Sequence, residues 1–303
     1  MVKICGIGAC VMDTLVTLAA FPAEDTKTRA LSSKVSGGGP VATGLVAARK
    51  LGVEAAYVGV LSTDAGGAFL LEDFQKYGVD TACVETVAGR RSFTSCIWLS
   101  EKDATRTCVF DRGDLPPLHL NEAQKRLIAS SEILLIDGNE LEAAEEACRV
   151  ARENGVKVLY DCGGLYPGVE RLLKLTDVMI PSREFALGHT GCATVEEAAA
   201  ALFEKYRPEV VVITCGKEGG LLFDGEKTER YPAFPVEAVD TNGAGDVFHG
   251  AFAAAVTKGR SYRDCCLFAS AVSAVKCTGT GARESTPDEK TALAFLKSRG
   301  VTL

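Results

Sequence analysis

Excess positive charge is missing from this sequence. Its 33 Lys and Arg stand against 40 Asp and Glu, giving a net charge of −7 at pH 7 and a pI near 5.2. Such a balance argues against a nucleic-acid partner or an anionic membrane surface. An anionic substrate would have to be drawn in by a few local groups or a metal ion, not by the overall field. Also missing is an uninterrupted apolar run of the ~18 residues that a spanning helix requires, so no membrane segment is expected. Neither a low-complexity tract nor a short repeat occurs. The twelve cysteines form no CxxC pair, and only Cys265 and Cys266 are adjacent. Most lie in apolar runs such as "KICGIGACV" and "VVVITCGKEG", where cysteine behaves as a small buried hydrophobe. With no signal peptide visible, the thiols are expected to be reduced and the protein cytoplasmic. Finally, no GxGxxG with an acid about 20 residues further on follows the first apolar strand, which disfavours a Rossmann dehydrogenase.

What is present is an alternation of apolar strands and amphipathic helices. The 303 residues, 47% hydrophobic and 24% charged, suffice for one large α/β domain or two smaller ones. "VKICGIGACVMD" reads as a strand ending in small residues and Asp13, and "GPVATGLVAARKLG" as a helix with Pro40 in its first turn. "AAYVGVL" is expected to be a strand and "GGAFLLEDFQKYG" a helix closed by Gly78. "EILLID", "VKVLYDC" and "EVVVITCG" continue as strands, between the helices "ELEAAEEACRVARENG" and "VEEAAAALFEKY". The pattern predicts a mainly parallel sheet covered on both faces, with ligands beyond the carboxyl ends of its strands. Two segments break the rhythm. Residues 14–36, with "TKTRALSSKVS", and residues 90–112, a hairpin turning at Glu101 to Ala104, have strand composition without a following helix. They are expected to form a small β-lid on a main domain made of residues 1–13, 37–89 and 113–303. The open face of such a sheet needs cover from substrate, a second subunit, or both.

The stretch "DTNGAGDVFHGAF" (240–252) places Gly243, Ala244 and Gly245 at the mouth of a helix, followed by one acid, Asp246. Backbone N–H groups in a first helical turn lack internal partners and favour an anion, typically a phosphate oxygen. A carboxylate beside an anion site is repelled by what binds there. A general base that takes a proton from an attacking hydroxyl gives it a reason to be present; a helix-end acid in a tight turn is the plain alternative.

Asp13, "SGGGP" (36–40), "TCGKEGG" (214–220) and "DTNGAGD" all fall at strand ends or helix starts on one edge. Together with the lid they resemble the ribokinase, or phosphofructokinase-B, family of carbohydrate kinases over nearly the whole chain. "GGGPVATG", "GAGDVFHGAF" and "KCTGTGAR" are most similar to its sulfofructose kinase branch. The resemblance implies a ribokinase-like three-layer α/β sandwich and an ATP- and Mg2+-dependent sugar kinase. By it, Asp246 is the base, and the amides of Gly243, Ala244 and Gly245 form an anion hole. Thr214, Gly216, Lys217, Gly219 and Gly281 lie at the nucleotide, and Asp13, Gly38 and Gly39 at the sugar. The closing loop "KCTGTGARESTP" implies a K+ site near Asp240, Thr241, Gly281 and Ser285. Phosphoryl transfer is mostly positioning and charge stabilisation, which suits these residue types.

Departures from the family pattern bear on the substrate and the metal. Thr43 stands where an Asn commonly touches the sugar. Ser182 and Phe185 replace the Asn and Glu of the Asn-x-x-Glu motif, leaving Glu184 as the substitute at the magnesium shell. Lys27 of the lid is a candidate cation for an anionic substituent, whereas Asn139 and Glu140 occupy the place of the sulfofructose kinase branch's lid-facing arginine, which speaks against sulfonate recognition. The acceptor is then a hexose, a keto-sugar or an anionic sugar derivative bearing a primary hydroxyl. A nucleoside kinase of the same fold and a catalytically silent sugar or nucleotide sensor remain alternatives. His249 is given no role, Trp98 is read as lid packing, and a homodimer through the lid is expected to cover Phe93, Ile97 and Trp98.

Overall fold

The unbroken apolar runs Ile133–Ile136 and Val210–Ile213 are buried along their whole length, as parallel strands covered by helices on both faces must be. The computed structural model describes residues 2–102 and 105–303. Its first half runs β1 (Ile4–Ile7), β2 (Val11–Leu18), β3 (Ser32–Gly38), α1 (Pro40–Lys50), β4 (Ala55–Val58), β5 (Val60–Ser62), α2 (Ala65–Tyr77), β6 (Glu85–Val87), β7 (Thr94–Ser100) and β8 (Thr105–Asp111). There follow α3 (Glu122–Ala129), β9 (Ile133–Ile136), α4 (Leu141–Glu153), β10 (Lys157–Cys162), α5 (Glu170–Leu173), β11 (Val178–Pro181), α6 (Arg183–Thr190), α7 (Val195–Tyr206) and β12 (Val210–Thr214). The chain closes with β13 (Gly220–Phe223), β14 (Thr228–Tyr231), α8 (Ala244–Val256), α9 (Tyr262–Cys277), α10 (Ala282–Ser285) and α11 (Glu289–Ser298).

The large sheet has the order β14-β13-β12-β11-β10-β9-β1-β4. It is parallel from β4 to β12, with β13 and β14 added antiparallel at one edge. Alternate side chains of each strand enter two separate cores. Ile4 and Leu135 meet Leu45 of α1, Phe74 of α2, Phe252 of α8, Phe268 of α9 and Leu296 of α11. Ile7 and Leu134 meet Ile128 of α3, Cys148 of α4, Phe185 of α6 and Leu202 of α7. This is the expected three-layer sandwich. "AAYVGVL" is not one strand. It breaks at Gly59, where the Tyr57 ring folds across a position that a Cβ would fill at 2.4 Å, and the Tyr57 hydroxyl donates to the Gly8 carbonyl at 2.9 Å. β5 leaves β4 to pair with β6.

A second sheet, in the order β3-β2-β7-β8, holds both irregular segments. Its strands extend beyond the expected limits of 14–36. The β2–β3 pairing continues from Thr17 opposite Ser32 to Val11 opposite Gly38, so Asp13 and Gly38 belong to the small sheet and not to the main body. Glu101 and Lys102 form part of the β7–β8 turn; the rest of that expected loop, Asp103 and Ala104, lies outside the described residues. Among the described residues no helix is long and apolar enough to cross a membrane.

Candidate active site

Helix α8 begins at Gly243, whose φ of 72° lies in the left-handed region that glycine adopts without strain. No side chain caps this end. The Ala244 N–H donates to the Thr241 carbonyl at 3.2 Å and that of Val247 to Gly243 at 3.0 Å. The N–H groups of Gly243, Gly245 and Asp246 have no partner among the described residues. Of the three amides expected to form an anion hole, that of Ala244 is engaged in the turn, while those of Gly243 and Gly245 are open, as is that of Asp246.

Asp246 is half-buried, and its carboxyl is pushed up to about 7. Burial is the main cause, the Asp161 charge adds to it, His249 opposes it, and Asp13 and Asp137 contribute in the same sense as Asp161. A carboxyl tuned towards neutrality is suited to taking a proton in a transfer step. His249, one helical turn on, is buried beside Asp161 of β10: its Nδ1 lies 3.1 Å from Asp161 Oδ2 and 2.6 Å from the Gly245 carbonyl, and its Nε2 3.1 Å from that of Ile180. Burial pulls the imidazole below its ordinary value, while these carbonyls and Asp246 resist. Sequence reasoning assigned neither His249 nor Asp161 to the site. The signal was there in the helical spacing of His249 from Asp246 and in the acid at the carboxyl end of "VKVLYDC".

One cavity opens at this helix end, and a second lies against the small sheet. The first, of about 430 Å³, is lined by Thr214, Gly216, Lys217 and Gly219 from the loop after β12, by Thr241, Ala244 and Gly245, and by apolar walls that include Phe234, Val236 and Phe248. Gly219 must be glycine: its φ is +81°, and a Cβ there would lie 2.1 Å from the Tyr231 carbonyl. All the expected nucleotide residues line this cavity except Gly281, whose N–H instead donates to Asp240 Oδ2 at 2.8 Å. The other cavity, of about 190 Å³, is lined by Asp13, Gly39 and Asn139 together with Ser95, Phe93, Phe110, Arg112 and Tyr166. Ser95 Oγ donates to Asp13 Oδ1 at 2.6 Å, and burial raises the Asp13 carboxyl despite this bond. Gly38 makes room for that carboxylate, since a Cβ would sit 1.9 Å from Asp13 Oδ2. The Gly38 carbonyl accepts from Arg283 Nη2 at 2.7 Å; this fully buried guanidinium also pairs with Asp73 and lies over the Phe74 ring.

The remaining expected residues lie elsewhere around the two cavities or outside them. Lys27 lies in the exposed loop between β2 and β3 and does not line the smaller cavity; Arg112, at the end of β8, does, and its Nη2 donates to Asn139 Oδ1 at 2.8 Å. Thr43 is buried within α1, outside both cavity linings, and its hydroxyl has no partner among the described residues. Glu184 is exposed in the first turn of α6. Ser182 caps that helix by accepting the Phe185 N–H at 3.1 Å, and Phe185 is core, so these positions serve capping and burial. No three His, Cys, Asp or Glu side chains converge as a metal cage among the described residues. Of the residues expected near K+, Asp240 accepts from the N–H groups of Asn242 and Gly281, each at 2.8 Å, and Ser285 Oγ donates to the Thr280 carbonyl at 2.9 Å. Thr241 lines the larger cavity instead.

The chain belongs to the pfkB family of carbohydrate kinases, whose model matches residues 1–289. It is thus a phosphotransferase with an alcohol group as acceptor, an ATP-dependent sugar kinase. It is 28% identical to a ribokinase of Haemophilus influenzae over 300 residues, 96% of this chain and 97% of that one. It is 25% identical to the ketohexokinase of Mus musculus over 282 residues, 89% and 94% of the two chains. Its fold superimposes on that of Arabidopsis thaliana ribokinase complexed with ribose and ATP, with a TM-score of 0.87 at 26% identity, covering 98% and 99% of the two chains.

Proposed function

We propose that this kinase moves the γ-phosphate of ATP to a primary hydroxyl of a small sugar, with Asp246 as the base. The observation that carries the reading is the junction at α8. Gly245 lines the larger cavity, its open N–H neighbours stand at the same helix end, and Asp246 follows directly in the first turn of α8. ATP is assigned to the larger cavity, with Lys217 and the glycine loop at its phosphates. The acceptor is assigned to the smaller one, where Asp13 and Asn139 hold its hydroxyls, since a buried hydroxyl needs a partner. Asp246 takes the proton from the attacking hydroxyl, and the N–H groups of Gly243, Gly245 and Asp246 stabilise charge on the phosphoryl oxygens. Magnesium bound to the triphosphate would neutralise its charge, held mainly by phosphates and water. Closure of the small sheet excludes water and limits ATP hydrolysis.

Arg112 extends the reading to the class of sugar. Its guanidinium is the cationic member of the lining of the smaller cavity, so a hexose or keto-sugar with an acidic substituent is the preferred acceptor. The aromatic pair Phe93 and Phe110, with ring centroids 5.9 Å apart on the same wall, favours a nucleoside as the second reading. On the outer side of the sheet, Trp98 and Val109 are exposed, which supports pairing of two subunits through this sheet. An ATP-consumption screen over neutral sugars, acidic sugars and nucleosides tests the assignment, with Asp246→Asn as its control. That variant should bind ATP but turn over at least ~10²-fold more slowly than wild type. An Asp246→Asn protein as active as wild type would remove the base, and turnover confined to nucleosides would select the second reading.

A further inference from the structure

Lys276, near the end of α9, is fully buried. Its Nζ donates to the Asp240 carbonyl at 2.7 Å and to the Asn242 carbonyl, and it lies 3.9 Å from Asp240 Oδ1. Every oxygen around it is an acceptor, so the position calls for a cation. Burial pulls this ammonium below its ordinary value and the Asp240 charge resists. The same neighbourhood is furnished with other side-chain cations. Lys34 Nζ donates to the Thr280 carbonyl at 3.3 Å, and Lys50 Nζ to those of Arg283 and Glu284 at 3.0 and 2.8 Å. Meanwhile the Asp240 carboxylate is bonded to the amides of Asn242 and Gly281. A potassium ion needs free inward-facing oxygens, and here those of the 240–242 turn are directed at a lysine.

We propose that Lys276 is a built-in monovalent cation: its ammonium stands in for a bound potassium ion and fixes the Asp240–Asn242 turn from which Gly243 and the anion hole begin. Lys276 touches neither cavity's expected ligand and is a positioning residue. The inference rests on the kinase reading above for its rate measurement but not for its thermal one. It predicts that the protein has no use for added potassium.

The experiment has two arms. Wild-type protein is held at constant ionic strength in choline, sodium or potassium chloride, and its Tm and initial kinase rate are measured. Both should be unchanged across the three salts. A Tm or rate that rises several-fold beyond scatter in potassium alone would overturn the proposal, and the Tm reading stands even if the acceptor has been misassigned. In the second arm, Lys276→Ala leaves buried carbonyls without a partner, and its Tm should fall by roughly 10 °C. Its kcat should drop at least about tenfold, since a displaced turn misplaces the anion hole. Potassium or methylammonium should recover part of both losses, while choline, too large for the vacated space, should not. Loss without recovery in either small cation would mean that the side chain acts through bulk and not charge, and would also overturn the proposal. If Lys276→Ala does not fold, the wild-type salt series alone decides.

Discussion

Replacing Gly250 by alanine should damage this enzyme from inside the core. Gly250 lies on α8 one turn beyond Asp246, where the helix crosses α1, and a Cβ there would stand 2.1 Å from the Gly44 carbonyl oxygen and 2.6 Å from its Cα. A carbon–oxygen contact settles at about 3.3 Å, so the two helices would have to part by roughly 1 Å. The obstacle is backbone, which cannot swing aside as a side chain can. Overpacking of this kind costs about 1–3 kcal/mol, a fall in Tm of roughly 5 °C for a chain of this size. Because α8 carries Asp246 and the open amides, a shift of that size should also cost about 10²-fold in kcat. Gly44→Ala is the built-in control. Its Cβ meets the end of Leu135 at 3.1 Å and the Asp246 carbonyl at 3.4 Å. The leucine can yield, and the helix gains up to about 1 kcal/mol from losing a glycine. Thermal melting and kcat at saturating ATP and acceptor measure both variants. A Gly250→Ala protein with wild-type Tm and kcat, or equal losses in the two variants, would refute the reasoning.

The pH dependence of kcat/KM should show one acidic limb near the Asp246 value of about 7. Only the ionised carboxylate accepts a proton, so the rate should fall about tenfold per pH unit below that point; a flat profile from pH 8 to 5 would count against Asp246 as base. Arg112→Ala should raise KM for an acidic sugar at least tenfold more than for a neutral one, consistent with loss of a charge-assisted bond of ~1.5–3 kcal/mol, whereas Lys27→Ala, in an exposed loop, should change neither; the reverse ranking would restore Lys27 to the site. Arg283→Leu strands the buried Asp73 carboxylate beside the end of β3 at Gly38 and should lower stability by about 3–5 kcal/mol. A denaturation midpoint equal to wild type would show that the pair contributes nothing net.

The parts of the molecule built from local rules were legible in the sequence. "ILLI" and "VVVI" announced strands buried on both faces, and Pro40 and Gly78 marked a helix start and a helix end where the structure has them. The loop that lines the larger cavity was legible as a turn for the same reason: a glycine-rich stretch such as Gly216–Gly219 signals its own geometry. What escaped were pairings between distant segments. Arg112 and Lys27 are both cations of the irregular segments; one follows β8 into the smaller cavity's wall, the other lies in the exposed loop between β2 and β3, and only the assembled small sheet separates them. Lys276 sits in an apolar helix with nothing in its neighbours to announce a cation's role, because its partners lie 36 and 34 residues away. Asp161 and His249, 88 positions apart in the chain, meet from β10 and α8.

The smaller cavity draws its walls from two sheets. Val11, Asp13, Ser95, Ile97, Cys108 and Phe110 come from the small sheet, and Ala9, Gly39, Asn139 and Tyr166 from the main body. The groups proposed to act in phosphoryl transfer, by contrast, stand on α8, a helix clasped between α1 and α9 in the core. Choice of acceptor and chemistry are therefore written on separable pieces of chain. The hairpin from Thr94 to Asp111 is largely exposed along its outer strand, so substitutions there cost little stability and reshape the acceptor's surroundings directly. Those on α8 disturb tightly filled space. Inheritance of this fold thus allows the sugar to drift while phosphoryl transfer is conserved by the core itself, and the β7–β8 hairpin is where a laboratory search for new acceptors should place its library.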